Sequence, residues 1–138
     1  MSAEVHIRPI TAADTYALRH QVLWPQESPS YVRLLNDHEG QHFGAFDGSH
    51  LVSVISLFTE GNTARFRKFA TRPDQQRKGI GSKLLRHVLN VAREQGAQRI
   101  WCDARAENRA FYRAFGLEPE SGITYRGTMP YLRMGKDL

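Results

Sequence analysis

Cysteine is almost absent from this chain: Cys102 stands alone among 138 residues. A lone thiol forms no internal bridge, so a disulfide-stapled scaffold is excluded. Long apolar runs are missing too, and none approaches the ~20 residues that span a bilayer. The opening Met1-Ser2-Ala3-Glu4 lacks the basic and apolar regions of a secretory signal. The expectation is a reducing, cytoplasmic address with no membrane partner. The six histidines are scattered without metal-ligand spacing, so no metal is expected. Internal repeats, low-complexity tracts and linkers are lacking as well, which leaves one domain over residues 1–138. Hydrophobic residues at 41% and charged residues at 24% suit a soluble globular chain. A domain of this length buries roughly two-thirds of its unfolded surface and needs no staple.

What is plentiful is positive charge, and it is local. The net charge is +5. Residues 64–86 hold Arg65, Arg67, Lys68, Arg72, Arg77, Lys78, Lys83 and Arg86 against Asp74 alone. Residues 1–63 are acidic on balance and residues 87–138 only slightly basic. A basic segment in a neutral body attracts a polyanion: nucleic acid, an anionic membrane surface or a phosphorylated small molecule. A solvated charged face is the bland alternative, and the glycines embedded in the run argue against it.

Hydrophobic periodicity sets the element order. Glu4–Ile10 alternates with period two and reads as a strand. Thr11 with Asp14 makes a near capping box for a helix that runs to about Leu23, where Trp24-Pro25 stops it. Residues 26–40 are polar and read only as a short helix around Tyr31–Asn36. His42–Phe46 and Leu51–Thr59 are strands joined by an Asp47-Gly48 hairpin signal, and Ala64–Thr71 completes an antiparallel meander. From Ile80 the period becomes 3.6, with Leu84, Leu85, Val88, Val91 and Ala92 on one face and Gly96 past the end. Arg99–Ala104 is a short strand, and Glu107–Phe115 a helix closed by Gly116. Tyr125–Thr128 and Pro130–Met134 supply one or two more strands. The expected class is α/β (α+β): a mixed central sheet flanked by helices, with one helix crossover.

The segment Thr71-Arg72-Pro73-Asp74-Gln75-Gln76-Arg77-Lys78-Gly79-Ile80-Gly81-Ser82 joins the last meander strand to the long helix. Glycines here let backbone N–H groups converge, and a helix N-terminus attracts anions through its free amides and dipole. Arg77, Lys78 and Lys83 add charge at the same point. The third glycine of a dinucleotide fingerprint and the Lys-Ser/Thr of a P-loop are both missing, which disfavours a dehydrogenase or a nucleoside triphosphatase.

The order Gln-x-x-Gly-x-Gly between a meander strand and an amphipathic helix resembles the pyrophosphate loop of the GNAT acetyltransferase superfamily. About 30 residues on, Ala110-Phe111-Tyr112-Arg113-Ala114-Phe115-Gly116-Leu117 is similar to that family's second signature. The resemblance implies an acyl-CoA N-acyltransferase that moves the acetyl group of acetyl-CoA to a primary amine directly, in a ternary complex. It implies a splayed parallel pair, Ala64–Thr71 and Arg99–Ala104, with the pantetheine arm on the backbone of Phe69, Ala70 and Thr71. The pyrophosphate falls to Gln76, Arg77, Lys78, Gly79, Ile80, Gly81 and Ser82, and the 3′-phosphate to Arg86 or Lys83. Tyr112, beside Phe111, matches the tyrosine that protonates the departing thiolate as general acid. Many members carry Asn seven residues before that tyrosine; here the position is Arg105, with Asn108 nearby, and either is expected to meet the pantetheine.

The attacking amine must be neutral, so the family draws on a carboxylate or a water chain as general base. Glu60 and Asp103 are the carboxylates considered. Cys102 is expected to be buried in its strand and not nucleophilic. The acceptor, a small-molecule or peptide amine, falls between Leu18–Leu35 and Tyr125–Met134. Trp24, Tyr31, Tyr125, Met129 and Tyr131 are the aromatic or apolar wall, and Arg19, Arg33, Arg126 or Arg133 the anchor for an acidic group. The alternatives are a protein of this fold that binds acyl-CoA without transferring it, and a basic nucleic-acid-binding module. The second needs Phe66 and Phe69 on one exposed face, whereas strand alternation places them on opposite faces. The acceptor's identity, the acyl-chain preference and the choice between monomer and homodimer are not legible.

Overall fold

A computed structural model describes residues 4–138; residues 1–3, part of the stretch read for a secretory signal, lie outside the described residues. Strand β1 (Val5–Ile10) leads into helix α1 (Ala12–Leu18). The capping box forms, with Thr11 Oγ1 accepting from the Asp14 amide and Asp14 accepting from the Thr11 amide. The helix does reach Leu23, but its last turn, Arg19–Leu23, widens to a π-helical turn. The meander is β2 (Gln41–Asp47), β3 (His50–Glu60) and β4 (Thr63–Thr71). Helix α2 (Ile80–Glu94) crosses to β5 (Arg99–Arg105), followed by the short helix α3 (Arg109–Arg113). Strands β6 (Glu118–Pro119), β7 (Thr124–Arg126) and β8 (Met129–Asp137) finish the sheet. No described helix is long and apolar enough to cross a membrane.

The sheet runs β1-β2-β3-β4-β5-β8-β6, with β7 also on β8. Every pairing is antiparallel except β4 with β5. On one face, Ile80, Leu84, Leu85, Val88, Leu89 and Ala92 of α2 are buried. All but Ile80 share one core with Ile55, Leu57, Phe66, Ile100, Cys102 and Met134. At about 1.5–3 kcal/mol for each large apolar side chain, this face is the main source of stability. On the other face, Leu18 of α1 packs on Val54 and Ala70.

The polar stretch 26–40 owes its order to a buried arginine. Arg19, wholly buried, donates to both Asp37 carboxylate oxygens at 2.9 Å, to the Val32 carbonyl at 3.1 Å and to Ser56 Oγ at 2.9 Å. His42 bridges Ser56 Oγ and the Asp37 carbonyl. The segment folds as two 3-10 turns, Pro29–Val32 and Asp37–Glu39, hung on this network. Arg19 is therefore a structural post, not the substrate anchor the sequence suggested.

One local feature opens the sheet. Strands β4 and β5 pair only from Thr63/Arg99 to Arg65/Trp101, and both then continue apart. On its other side β4 carries a bulge: Ser56 faces Arg67 and Val54 faces Ala70, so β4 has one residue too many. Lys68 takes the strain with φ of 54°, unusual for a residue with a side chain. A bulge bends and twists its strand, and here it turns β4 away from β5. It also overturns the alternation argument: Phe66 sits opposite Leu57, the extra residue shifts Phe69 by one place, and both rings pack on the α2 side.

Candidate active site

The gap between β4 and β5 is a cleft of about 670 Å³. Beyond Arg65 the β4 backbone facing it has no strand partner. Its lining includes Phe69, Ala70, Thr71, Gln76, Arg77, Gly79, Gly81, Ser82, Arg105, Asn108, Phe111 and Tyr112. Of the coenzyme-contacting set drawn from the sequence, Lys78, Ile80, Lys83 and Arg86 are outside the lining. Lys78 is exposed, and Ile80 turns its side chain into a small core with Ala45 and Val52. Sequence reasoning did not pick out Val22, Leu23 and Glu107, which complete the wall.

The two loop glycines are needed for different reasons. Gly79, immediately before α2, has φ of 81°, a left-handed conformation that glycine adopts freely. No side chain caps the helix there, so the first-turn amides stay available. At Gly81 a Cβ would meet Phe69 Cζ at 3.3 Å and Thr71 Oγ1 at 3.4 Å, so its absence lets α2 approach β4. The loop also contains Arg77 at φ of 64°. Arg72 folds back on Asp74, and the Gln76 amide group donates to the Thr71 carbonyl. The Lys83 ammonium uses one of its three donors on the Val5 carbonyl. Arg86 lies over the Phe115 ring.

Tyr112 sits at the inner end of the cleft, 7% exposed, its ring 5.8 Å from Phe66 and 5.3 Å from Phe111. Burial, reinforced by Cys102, pushes its phenol above the ordinary value, so the hydroxyl keeps its proton. Burial likewise pushes the Cys102 thiol up to about 12, which removes the thiolate a nucleophile requires.

A second cavity meets the first at Leu23, Phe69, Arg105, Asn108 and Tyr112. Its other walls are Trp24, Arg65, Phe66, Arg67, Lys68, Cys102, Asp103, Arg126 and Tyr131. Arg105 donates to the Leu23 carbonyl and, at 3.4 Å, to the Tyr131 hydroxyl, which ties β5 to the end of the first helix. Asp103 Oδ2 accepts from Arg65 at 2.7 Å and Arg126 at 3.3 Å. Glu60 is not brought here. It pairs with Thr63 at the far end of β4, six residues from Phe69, or about 20 Å along a strand. Of the residues expected around the acceptor, Trp24, Arg126 and Tyr131 line this cavity. Tyr31 and Tyr125 are largely exposed. Arg33 stacks over Tyr16, and Arg133 over Trp101.

The Acetyltransferase (GNAT) family model matches residues 10–117. YitI of Bacillus subtilis strain 168, an uncharacterised N-acetyltransferase, is 32% identical over 121 residues, 81% of each chain. Among solved structures, a Bacillus subtilis acetyltransferase in complex with CoA superposes with a TM-score of 0.76 at 19% identity, covering 98% of this chain and 99% of that one. The ribosomal-protein-S18-alanine N-acetyltransferase of Escherichia coli gives 0.79 at 19% identity, covering 97% and 94%. The chain belongs to the GNAT acetyltransferase family and is an acyltransferase.

Proposed function

We propose that this enzyme transfers the acetyl group of acetyl-CoA directly to a primary amine, with both substrates bound at once. The observation that carries the reading is the meeting of two cavities at Tyr112. One has the open strand edge and the uncapped helix start; the other is enclosed by the end of the first helix and the C-terminal strands. The relative solved with CoA supports a coenzyme in the first. In this reading the free β4 backbone pairs with the pantetheine amides. The amides at Gly79–Ser82, with Arg77, hold the pyrophosphate. Arg105 and Asn108 flank the acetyl end, and Phe111 walls it.

The amine attacks the thioester carbonyl, and the tetrahedral intermediate expels thiolate. Burial keeps the Tyr112 phenol protonated; it passes its proton to the sulfur as the C–S bond breaks, and the proton that the amine nitrogen gives up returns to the phenolate through water. No covalent acyl-enzyme is required, in keeping with the raised thiol of Cys102. The reading of the segment as a nucleic-acid platform loses its support, because Phe66 is 2% exposed and packs on Tyr112.

The test is thermal stabilisation by acetyl-CoA against a nucleic-acid control, then coenzyme A release with a panel of amines. Acetyl-CoA should raise the midpoint and the nucleic acid should not. Absence of acetyl-CoA binding, or of release with every amine, would refute the reading.

A further inference from the structure

The second cavity carries far more positive charge than the fold uses. Its walls hold Arg65, Arg67, Lys68, Arg105 and Arg126 against the single carboxylate of Asp103. That carboxylate is taken by Arg65 and Arg126. Arg105 is occupied by the Leu23 carbonyl and Tyr131. Among the described residues, Arg67 and Lys68 have no ion pair and no side-chain hydrogen bond, although both are half-buried. Partly desolvated cations without a partner destabilise a fold unless a ligand repays them.

The coenzyme's phosphates do not meet this charge. Arg67 faces Ser56 across the sheet, and Ser56 binds Arg19 and His42. That is the α1 face, whereas the glycine loop opens α2 on the opposite face. Neither Arg67 nor Lys68 lines the coenzyme cleft. The charge therefore belongs to whatever enters from the acceptor side.

We infer that the acceptor is an amine that also carries a carboxylate, which Arg67 and Lys68 bind while its amino group points to Tyr112. This rests on the acyl-transfer reading and narrows its substrate. An arginine fork matches the two oxygens of a carboxylate, and the neighbouring ammonium adds a point charge. Trp24 and Tyr131, both in the cavity's lining, hold the carbon skeleton.

The same charges bear on the proton the amine must lose. Lys68 shows what this cavity does to an ammonium. Burial first, then Arg67, Arg19, Arg126 and Arg105, push it down to about 8. An acceptor ammonium entering the same partly desolvated, cationic surroundings is pushed in the same direction, which enlarges its neutral share at pH 7. Water then suffices to take the proton, and the carboxylate of Asp103 can remain in its ion pairs. Polyamines and basic peptides, which bring only positive charge, are excluded by the same field.

The experiment uses matched acceptors: aspartate, glutamate and β-alanine, each against the analogue in which every carboxylate is amidated, with O-phosphoethanolamine against ethanolamine, and spermidine. Coenzyme A release gives kcat/KM. Calorimetry of N-acetylaspartate against N-acetylaspartamide on the enzyme–CoA complex gives a readout independent of turnover. A carboxylate should improve kcat/KM or product affinity at least about 10-fold. Arg67→Gln should erase the preference, with a loss of about 10- to 100-fold on acids, while acetyl-CoA affinity is kept. Lys68→Gln serves as a second variant should Arg67→Gln fold poorly. Equal use of carboxamides, better use of spermidine, or a preference that survives Arg67→Gln would overturn the inference. So would phosphoethanolamine outrunning every carboxylate, or binding of neither product analogue. Failure of the wild type to bind acetyl-CoA would instead sink the acyl-transfer reading on which the inference stands.

Discussion

Replacing Tyr112 by Phe removes one hydroxyl and keeps the ring against Phe66 and Phe111. The ring is buried, so its packing survives, and the fold should lose no more than about 1 kcal/mol. Catalysis should suffer more. General acids contribute roughly 10²- to 10⁴-fold. A thiol with an ordinary pKa of about 8.5 is a fair leaving group unaided, so the lower end applies. The expectation is a fall in kcat of about 10- to 10³-fold, or about 1.4–4 kcal/mol of transition-state stabilisation. Acetyl-CoA affinity should barely change, because the interaction is made as the sulfur gains charge. The wild-type pH profile supplies a second signature. Because burial holds the phenol above its ordinary range, kcat should show no alkaline fall from loss of the acid below about pH 10. The assay is coenzyme A release at saturating substrates, with chemistry shown to limit the rate. Near-wild-type kcat in a folded Tyr112→Phe protein would remove Tyr112 from the proton path. Loss of coenzyme affinity would make it a binding residue instead.

Three further outcomes follow from the structure. Gly79 faces open space at φ of 81°, a conformation that Asn and Asp tolerate; Gly79→Asn should keep most acetyl-CoA affinity while Gly79→Asp loses about 10-fold or more, and equal affinities by titration would deny a phosphate at this loop. Burial alone would raise the Asp37 carboxyl, but the Arg19 hydrogen bond and the Leu34 amide outweigh it and hold the group below its usual value. Its stabilising contribution is therefore present above about pH 4 and lost as pH falls through the lowered value; Asp37→Asn should cost about 3–5 kcal/mol at pH 7 by urea unfolding and progressively less in acid, and a pH-independent cost would refute the pairing. Lys68 titrates at about 8 in the fold against 10.5 ordinarily, so the unfolded chain holds more protons between those values and stability rises with pH across them; Lys68→Gln should be stabilising at pH 7, and an advantage undiminished at pH 10.5 would contradict a desolvated ammonium.

The elements were legible where a period or a cap is written in local residues. The capping box at Thr11, the Asp47-Gly48 hairpin and the 3.6 period from Ile80 each depend on neighbours in sequence, and each formed. The loop glycines and Tyr112 were legible because their spacing is itself the motif. What escaped depends on contacts between distant residues. Arg19 reads as an exposed cation until Asp37, 18 residues away, and Ser56 close around it. The bulge at Lys68 has no glycine to announce it, so simple alternation put Phe69 on the wrong face. For the same reason Arg67 and Lys68 read as part of a basic run rather than as one wall of a cavity. Glu60 and Asp103 were both carboxylates near strand ends, and only the register separates them: one stays at the hairpin, the other reaches the cavity. Strand β6 has two residues and no period to read.

The central claim is that the acetyl group is presented in the gap between β4 and β5, beside Tyr112. The most direct measurement is electron density for acetyl-CoA bound to crystals of the protein. The account predicts the pyrophosphate on the amides of Gly79–Ser82, the pantetheine along Phe69–Thr71, and the thioester sulfur within about 3.5 Å of the Tyr112 hydroxyl, or one water away. Density that places the coenzyme elsewhere on the chain, or its thioester out of reach of Tyr112, would contradict it.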